Sequence, residues 1–329
     1  MEQTLTGSDS RAEPWLVRRR EEWRQVGIGA VYNALVLTPV FVASARHPLV
    51  FLAACYFSFL NAVVIHNHLH KGVFHSKRLN KAFRFLLSFG ALYPASANIP
   101  SHNLVHHHFG DDGQPDWAAP GHVRFRWNFL NLLHFPNVAG PNTFTGVKRW
   151  SDVTRHAGFV LQYNAETVFA FAVTGLLLWV NFWPTIAFVV LPQFYGARCI
   201  LRINLIQHDS CDVDSEWNHS RNFVGRGFNW IMCNNGYHTI HHNRAGMHWA
   251  DLAQAHREQA VPRMDRRLDE RSMVGYLLRA FVFKVHREPT VSGAGHEDVK
   301  GSDDLGFPSR PERFAAADEV AIQEAGGAT

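Results

Sequence analysis

The chain has 329 residues, 47% of them hydrophobic, with 21 histidines and a formal net charge of +4. That length makes one or two domains, and so small a positive charge makes no case for a nucleic-acid partner. The four cysteines, Cys55, Cys199, Cys211 and Cys233, have no CxxC spacing, which argues against a disulfide framework or a thiolate metal site and leaves reduced thiols.

The first 25 residues are polar and charged, without the apolar core of a cleavable signal, so residues 1–27 read as an N-terminal segment on the cytoplasmic side. Four stretches then meet the requirement of roughly 20 apolar residues per membrane crossing: about 28–45, 48–65, 167–180 and 184–203. The linkers "RH" at Arg46 and "NFWP" at Asn181 are short enough to make each pair a helical hairpin, and Pro39 and Pro192 are tolerable as kinks in a packed bundle. Basic clusters, "RRREEWR" from Arg18 and "KRLNKAFR" from Lys77, suit anionic headgroups or ordinary solvated surface equally well. The bias of Lys and Arg around the first, second and fourth spans places both termini in the cytoplasm. "FRFLLSFGALYPASANIP" from Phe83 is apolar as well, but a crossing there would send the next histidines to the opposite face. It is expected to be interfacial or re-entrant. Residues 287–329 lack periodicity and read as a disordered tail, leaving 28–286 as the membrane domain.

Three histidine clusters lie near the ends of apolar stretches: "HNHLH" at His66, "HNLVHHH" at His102 and "YHTIHH" at Tyr237. On a helix, positions i, i+3 and i+4 share a face. His66 with His70, His102 with His106, and His238 with His241 and His242 have that spacing, while His107 and His108 follow directly. Such faces aim several imidazoles at one point, and imidazole suits iron, copper, zinc and nickel. The set exceeds the roughly three to six ligands of one ion, so two ions are the economical reading. A lone histidine is more often a hydrogen-bonded structural residue. Three spaced clusters on one side of one membrane shift the balance to a metal site.

An HxxxH box after a span, an HxxxHH box some thirty residues on and a late HxxHH box resemble the membrane fatty acid desaturase superfamily. "NNGYHTIHHNRAGMHW" is similar to the GYHxxHH box of its bacterial members, with the downstream HW, and the resemblance covers about Ala30 to Leu252. It implies an all-α integral membrane protein: four transmembrane helices as two hairpins, plus a cytoplasmic helical cap carrying the boxes and two irons. "NLIQH" at the end of the fourth span resembles an NxxxH element that supplies an extra ligand, with its asparagine holding a metal-bound water. The resemblance therefore implies Asn204 for the water and nine ligands: His66, His70, His102, His106, His107, His208, His238, His241 and His242. The second box has one residue more than the usual HxxHH, which leaves His107 and His108 as alternatives. In the first box His70 with His75 is an alternative pair. His66 with His70 is preferred because "HNHLHKGVF" matches an HDxxHxxxF style, with Asn67 where that style has Asp. Asp116 and Asp209 are candidates for holding the outer nitrogens of the ligand rings.

The implied activity is oxygen-dependent desaturation of a fatty acyl or other lipid chain. The irons and dioxygen carry the chemistry, and the protein supplies position and exclusion of water. No HPGG haem signature and no CxxC pair for a fused rubredoxin occur in the sequence, so electrons are expected from a separate ferredoxin or cytochrome b5 docking on the cap. A hydroxylase or ketolase of an alkyl chain, sterol or carotenoid is the nearest rival, because histidine spacing separates these poorly. A metal transporter would want polar ligands along the spans, and here they lie at and beyond the span ends.

Overall fold

A computed structural model describes residues 15–108, 116–123 and 125–283. The expected tail at 287–329 and most of the expected turn at "DDGQPD" lie outside these residues. The described chain is mainly helical: α1 (Trp23–Phe41), α2 (Pro48–His70), α3 (Lys77–Ala91), α4 (Asn128–Thr154), α5 (Ala157–Val180), α6 (Phe182–Thr185) and α7 (Leu191–His208). A π-helical stretch, Ile186–Val190, joins α6 to α7 without a break. Shorter helices follow: α8 (Arg226–Ile231), α9 (His238–Asn243), α10 (Leu252–Ala255) and α11 (Met273–Leu277). Two short strands, β1 (Asn222–Phe223) and β2 (Asp269–Glu270), pair in parallel beside α9.

Three helical rods are long and apolar enough to cross a membrane: Pro48–His70, Ala157–Val180 and Phe182–His208. The expected first span, 28–45, overlaps α1, which opens earlier on Trp23, Arg24 and Gln25 and ends at Phe41, ahead of a 3-10 turn at Ala43–Ala45. Those polar residues leave it less apolar than the other three. The other expected spans are present but longer. α2 continues through the first histidine cluster, because nothing in "HNHLH" breaks a helix. α5 begins ten residues before its expected start, at Ala157, and takes in Glu166, which is fully buried. The carboxylate is satisfied inside the fold: it accepts from Ser96 N (2.9 Å), Ser96 Oγ (2.8 Å), Ser88 Oγ (3.2 Å) and Gln162 Nε2 (2.8 Å), with Arg84 Nε at 3.6 Å. A buried charge is tolerated only with such partners. These bonds also fix the turn at Ala95–Ala97 that leads into the second histidine cluster.

α2 packs along α7 and against α1, α3 against α5, and α4 against α7. The α2–α7 contact is close. A Cβ at Gly196 would stand 2.0 Å from Ser58 Oγ and 2.6 Å from the Ser58 carbonyl oxygen, so only glycine lets these backbones meet. α3 enters this bundle and stops there. Its last carbonyls are left over at the helix end; Leu92 N reaches Phe89 O (3.3 Å), and three other helices supply further donors. Tyr32 Oη donates to Gly90 O (2.8 Å), Asn61 Nδ2 to Leu87 O (3.1 Å) and Gln193 Nε2 to Phe89 O (2.6 Å). Leu92 then turns the chain in the left-handed region, at φ 56°.

A second buried carboxylate ties the start of α1 to the segment after the third cluster. Glu22 accepts from His248 Nε2 (2.7 Å), from Trp249 Nε1 (3.4 Å) and from Gln25 Nε2. Ala250 N donates to His248 Nδ1 (3.1 Å), so the ring carries its proton on Nε2 and gives it to Glu22.

A candidate two-metal centre

Nine histidines converge in two groups: His66, His70, His102, His107 and His241 in one, and His106, His208, His238 and His242 in the other. Within each group one ring nitrogen per residue lies within 4.8 Å of the others. α2 delivers His66 and His70 from one helical face. His68, between them, is buried but turned away, with Nε2 on Asn80 O (3.2 Å) and Nδ1 accepting from Val73 N (3.4 Å). His75 is exposed and its backbone N–H bonds Leu16 O (3.2 Å). It belongs to neither group.

The second cluster occupies a π-helix, Ile99–Val105, followed by a 3-10 turn, His106–His108. This accounts for its extra residue. A π-turn bonds residues five apart, and His102 and His107, five apart, bring their Nε2 atoms to 3.1 Å. His107 also lies 3.2 Å from His70 Nε2, while His108 is exposed and outside both groups. His106 faces the other way and joins the second group. There α7 contributes His208 at its last position, and α9 contributes His238 and His242 on one face, with His241 reaching across to the first group. His208 and His238 Nε2 stand 2.8 Å apart, and His238 and His242 Nε2 3.2 Å apart. The groups adjoin: the His107 and His242 rings stack at 4.4 Å between centroids.

Several rings have their outer nitrogen fixed. His106 Nδ1 meets Asp116 Oδ2 at 2.7 Å, His208 Nδ1 meets the His219 carbonyl oxygen at 3.0 Å, and His66 Nδ1 meets Asn67 Oδ1 at 3.1 Å. Each acceptor requires a proton on Nδ1 and so leaves the Nε2 lone pair facing inward, the usual way an outer contact sets a ligand's tautomer. Asn67 Oδ1 also accepts from Asn235 Nδ2 (3.0 Å). Asp116 therefore sits where the sequence expected it. Asp209 does not hold the outer nitrogen of His208, because the His219 carbonyl already does. Its carboxylate accepts from Asn128 Nδ2 (3.1 Å) instead and ties the end of α7 to the start of α4.

Burial pushes His102, His107, His238, His241 and His242 well below the ordinary imidazole pKa, and neighbouring rings add to the effect. These rings are neutral at physiological pH and have lone pairs to give. For Asp116, burial alone would raise the carboxyl, but His106 and the hydrogen bonds from His106 and Ala118 N hold it below the usual range. His241 Nε2 is buried with no hydrogen-bond partner. Inward-facing nitrogens about 3 Å apart are what neighbouring ligands show when each binds one ion at about 2.0–2.1 Å. The all-imidazole donor set fits a pair of iron-type cations.

A largely apolar cavity opens beside the histidines. His66, His102, His106 and His238 form one wall. Val63 of α2 and Ile200, Leu201 and Ile203 of α7 add apolar lining, with Ser101, Thr143 and Gln207 among the polar residues. Asn204 is on this wall, four residues before His208, with its Nδ2 on Ala118 O (2.9 Å). Trp117 lines the cavity with its ring set on α4, where a Cβ at Gly146 would lie 2.3 Å from the indole. Sequence reasoning missed α4, Asn235 and the His219 carbonyl. The "NN" before "GYH" was the one visible trace of Asn235, and nothing in the sequence marks a backbone carbonyl.

A family profile described as Fatty acid desaturase matches residues 29–272. No curated protein and no solved structure matches significantly.

Proposed function

The chain belongs to the fatty acid desaturase family, and from that premise we propose that it is an oxygen-dependent desaturase inserting a double bond into the alkyl chain of a lipid. The observation that carries the reading is the convergence of nine imidazoles in two groups, four of which line an apolar cavity. His66, His70, His102, His107 and His241 would hold one iron, and His106, His208, His238 and His242 the other. Two bound irons would supply reduction of dioxygen and removal of hydrogen from an unactivated C–H bond. The chain's own residues do the rest. Asp116, the His219 carbonyl and Asn67 keep three rings aimed inward. Asn204, whose Nδ2 bonds Ala118 O, would hold a metal-bound water through its side-chain oxygen. The cavity walls fix one methylene beside the histidines and exclude bulk water, since a lipid chain offers no polar handle at its middle. α1 completes four spans with the three apolar rods, the histidines and both termini face the cytoplasm, and electrons come from a separate ferredoxin or cytochrome b5 docking on the cap.

The test is lipid mass spectrometry of a host expressing the protein against one expressing His241→Ala. Products lacking two hydrogens, present only with the parent, are expected. Products that instead gain one oxygen would replace desaturase by hydroxylase. No product that depends on His241 would overturn both readings.

A further inference from the structure

The metal site makes no use of Gln207, a polar residue of the cavity wall. Gln207 is 4% exposed and lines the cavity one position before His208. Its Nε2 donates to the Asn235 carbonyl oxygen (3.0 Å). Because that partner is a carbonyl, the NH2 end of the amide faces it and the oxygen is the end left over. Among the described residues nothing donates to Oε1. Ile200, Ile203, Asn204 and Gln207 follow helical spacing and form one stripe of α7 along the cavity, with Gln207 at its histidine end. The rest of the lining offers nothing to a charge. It includes no lysine or arginine, and its carboxylate, Asp116, has both oxygens engaged by His106 and Ala118 N. The Ser101 and Thr143 hydroxyls spend their hydrogens on the Ala97 (2.9 Å) and Ala139 (2.7 Å) carbonyl oxygens. The part of a lipid that enters is therefore uncharged. A plain alkyl chain would expel water from Gln207 Oε1 and give it nothing in return, which is costly for a buried acceptor.

Resting on the desaturase reading, we infer that Gln207 Oε1 accepts a hydrogen bond from a hydroxyl on the substrate chain, so that the preferred lipid is hydroxylated near the carbons presented to the histidines. The walls hold any alkyl chain, and Gln207 distinguishes one that carries the hydroxyl. A site that hydrogen-bonds a substrate group rejects the analogue lacking it more sharply than an apolar wall separates chains by one methylene. The acceptor is also held in place. Asn235, whose carbonyl takes the Gln207 N–H, donates through Nδ2 to Asn67 Oδ1 (3.0 Å), and the same oxygen meets His66 Nδ1. The amide is thus tied to the histidines it stands beside.

The test is equilibrium binding to the full-length purified, iron-loaded protein in detergent, with no reductant present, so that its outcome does not depend on turnover. The probes are methyl stearate, its mid-chain hydroxy isomers and the ketone matching each alcohol, all uncharged. At least one alcohol should bind about tenfold tighter than methyl stearate. Its ketone should not, because a ketone can take the amide's second N–H but has no hydrogen to give Oε1. Gln207→Met keeps the length of the side chain without the amide and should abolish the preference, with iron content unchanged and methyl stearate bound at least as tightly. Gln207→Asn withdraws the amide by one methylene and should lose most of the preference. The inference falls if methyl stearate binds as tightly as every alcohol, or if the ketone matches its alcohol. It falls if Gln207→Met keeps the preference, which would place the hydroxyl on a bound iron instead. Loss of iron in both variants would make Gln207 a support of His66, and the inference falls there too. Failure of the desaturase reading would appear elsewhere, in the product spectrum, with these affinities intact.

Discussion

Asp116 gives a quantitative test of the outer contacts. Its two oxygens are both engaged, Oδ2 by His106 Nδ1 at 2.7 Å and Oδ1 by Ala118 N at 2.9 Å. Asp116 and His106 are both buried. A hydrogen bond to a charged group contributes about 1.5–3 kcal/mol, which corresponds to about 10–150-fold in an equilibrium constant. Loss of such an outer partner ordinarily weakens metal binding by about 10–100-fold. Asp116→Ala should therefore release the metal of the His106 group while leaving the other group loaded, halving the iron per chain under mild chelation. Asp116→Asn has one oxygen for two donors, so one N–H must face an amide NH2. It should fall between parent and Ala. Iron per chain by mass spectrometry, taken across a chelator titration with helicity checked by circular dichroism, reads the effect. Parent-like iron retention in Asp116→Ala would refute the argument that this carboxylate aims His106.

His208→Ala should lose iron and activity as completely as His241→Ala, whereas His68→Ala should keep most of both, because its nitrogens are spent on Asn80 O and Val73 N. Full iron in the first variant would remove His208 from the site. For pH, the five rings His102, His107, His238, His241 and His242 bind protons less readily folded than unfolded. Their unfolded value is about 6.5, so the unfolded chain takes up more protons below it and metal-free stability should fall as pH drops through that value. Thermal unfolding of chelator-treated protein at several pH values checks the sign, and a melting temperature that stays level or rises on acidification contradicts it.

What the sequence disclosed was whatever depends on helical period. His66 with His70 and His238 with His242 are four apart on helices, and both pairs arrive where that spacing puts them. The reach of His208 was likewise visible in "NLIQH". The second cluster was ambiguous because its register follows a π-turn, which the pattern of residues alone does not distinguish from an α-turn. The start of α5 was hidden by Glu166, whose charge argues against a span until Arg84, Ser88 and Ser96 arrive from elsewhere in the chain. α4 escaped notice because Pro136 and Pro141 interrupt a sequence of mixed polarity, and its helicity is supported by packing on α7. Outer contacts such as His219 O to His208 are made by backbone folded against backbone, and no residue type signals them.

The buried end of α3 carries a consequence for how the chain is made. Two of its three donors, Tyr32 and Asn61, precede α3 and have already been synthesised when it forms. The third, Gln193, is 104 residues beyond the Phe89 carbonyl it satisfies. At about 5–20 residues per second, that carbonyl waits about 5–20 s for its second donor, with Leu92 N at 3.3 Å bonding it until then. Until the second hairpin docks, the end of α3 lacks one of its three side-chain donors. The arrival of Gln193 supplies that donor, and the same docking brings His208 to His106. Docking of the second hairpin therefore completes the end of α3 and begins the His106 group together, and a chain truncated before Gln193 should be held by quality control as an unfinished insertion.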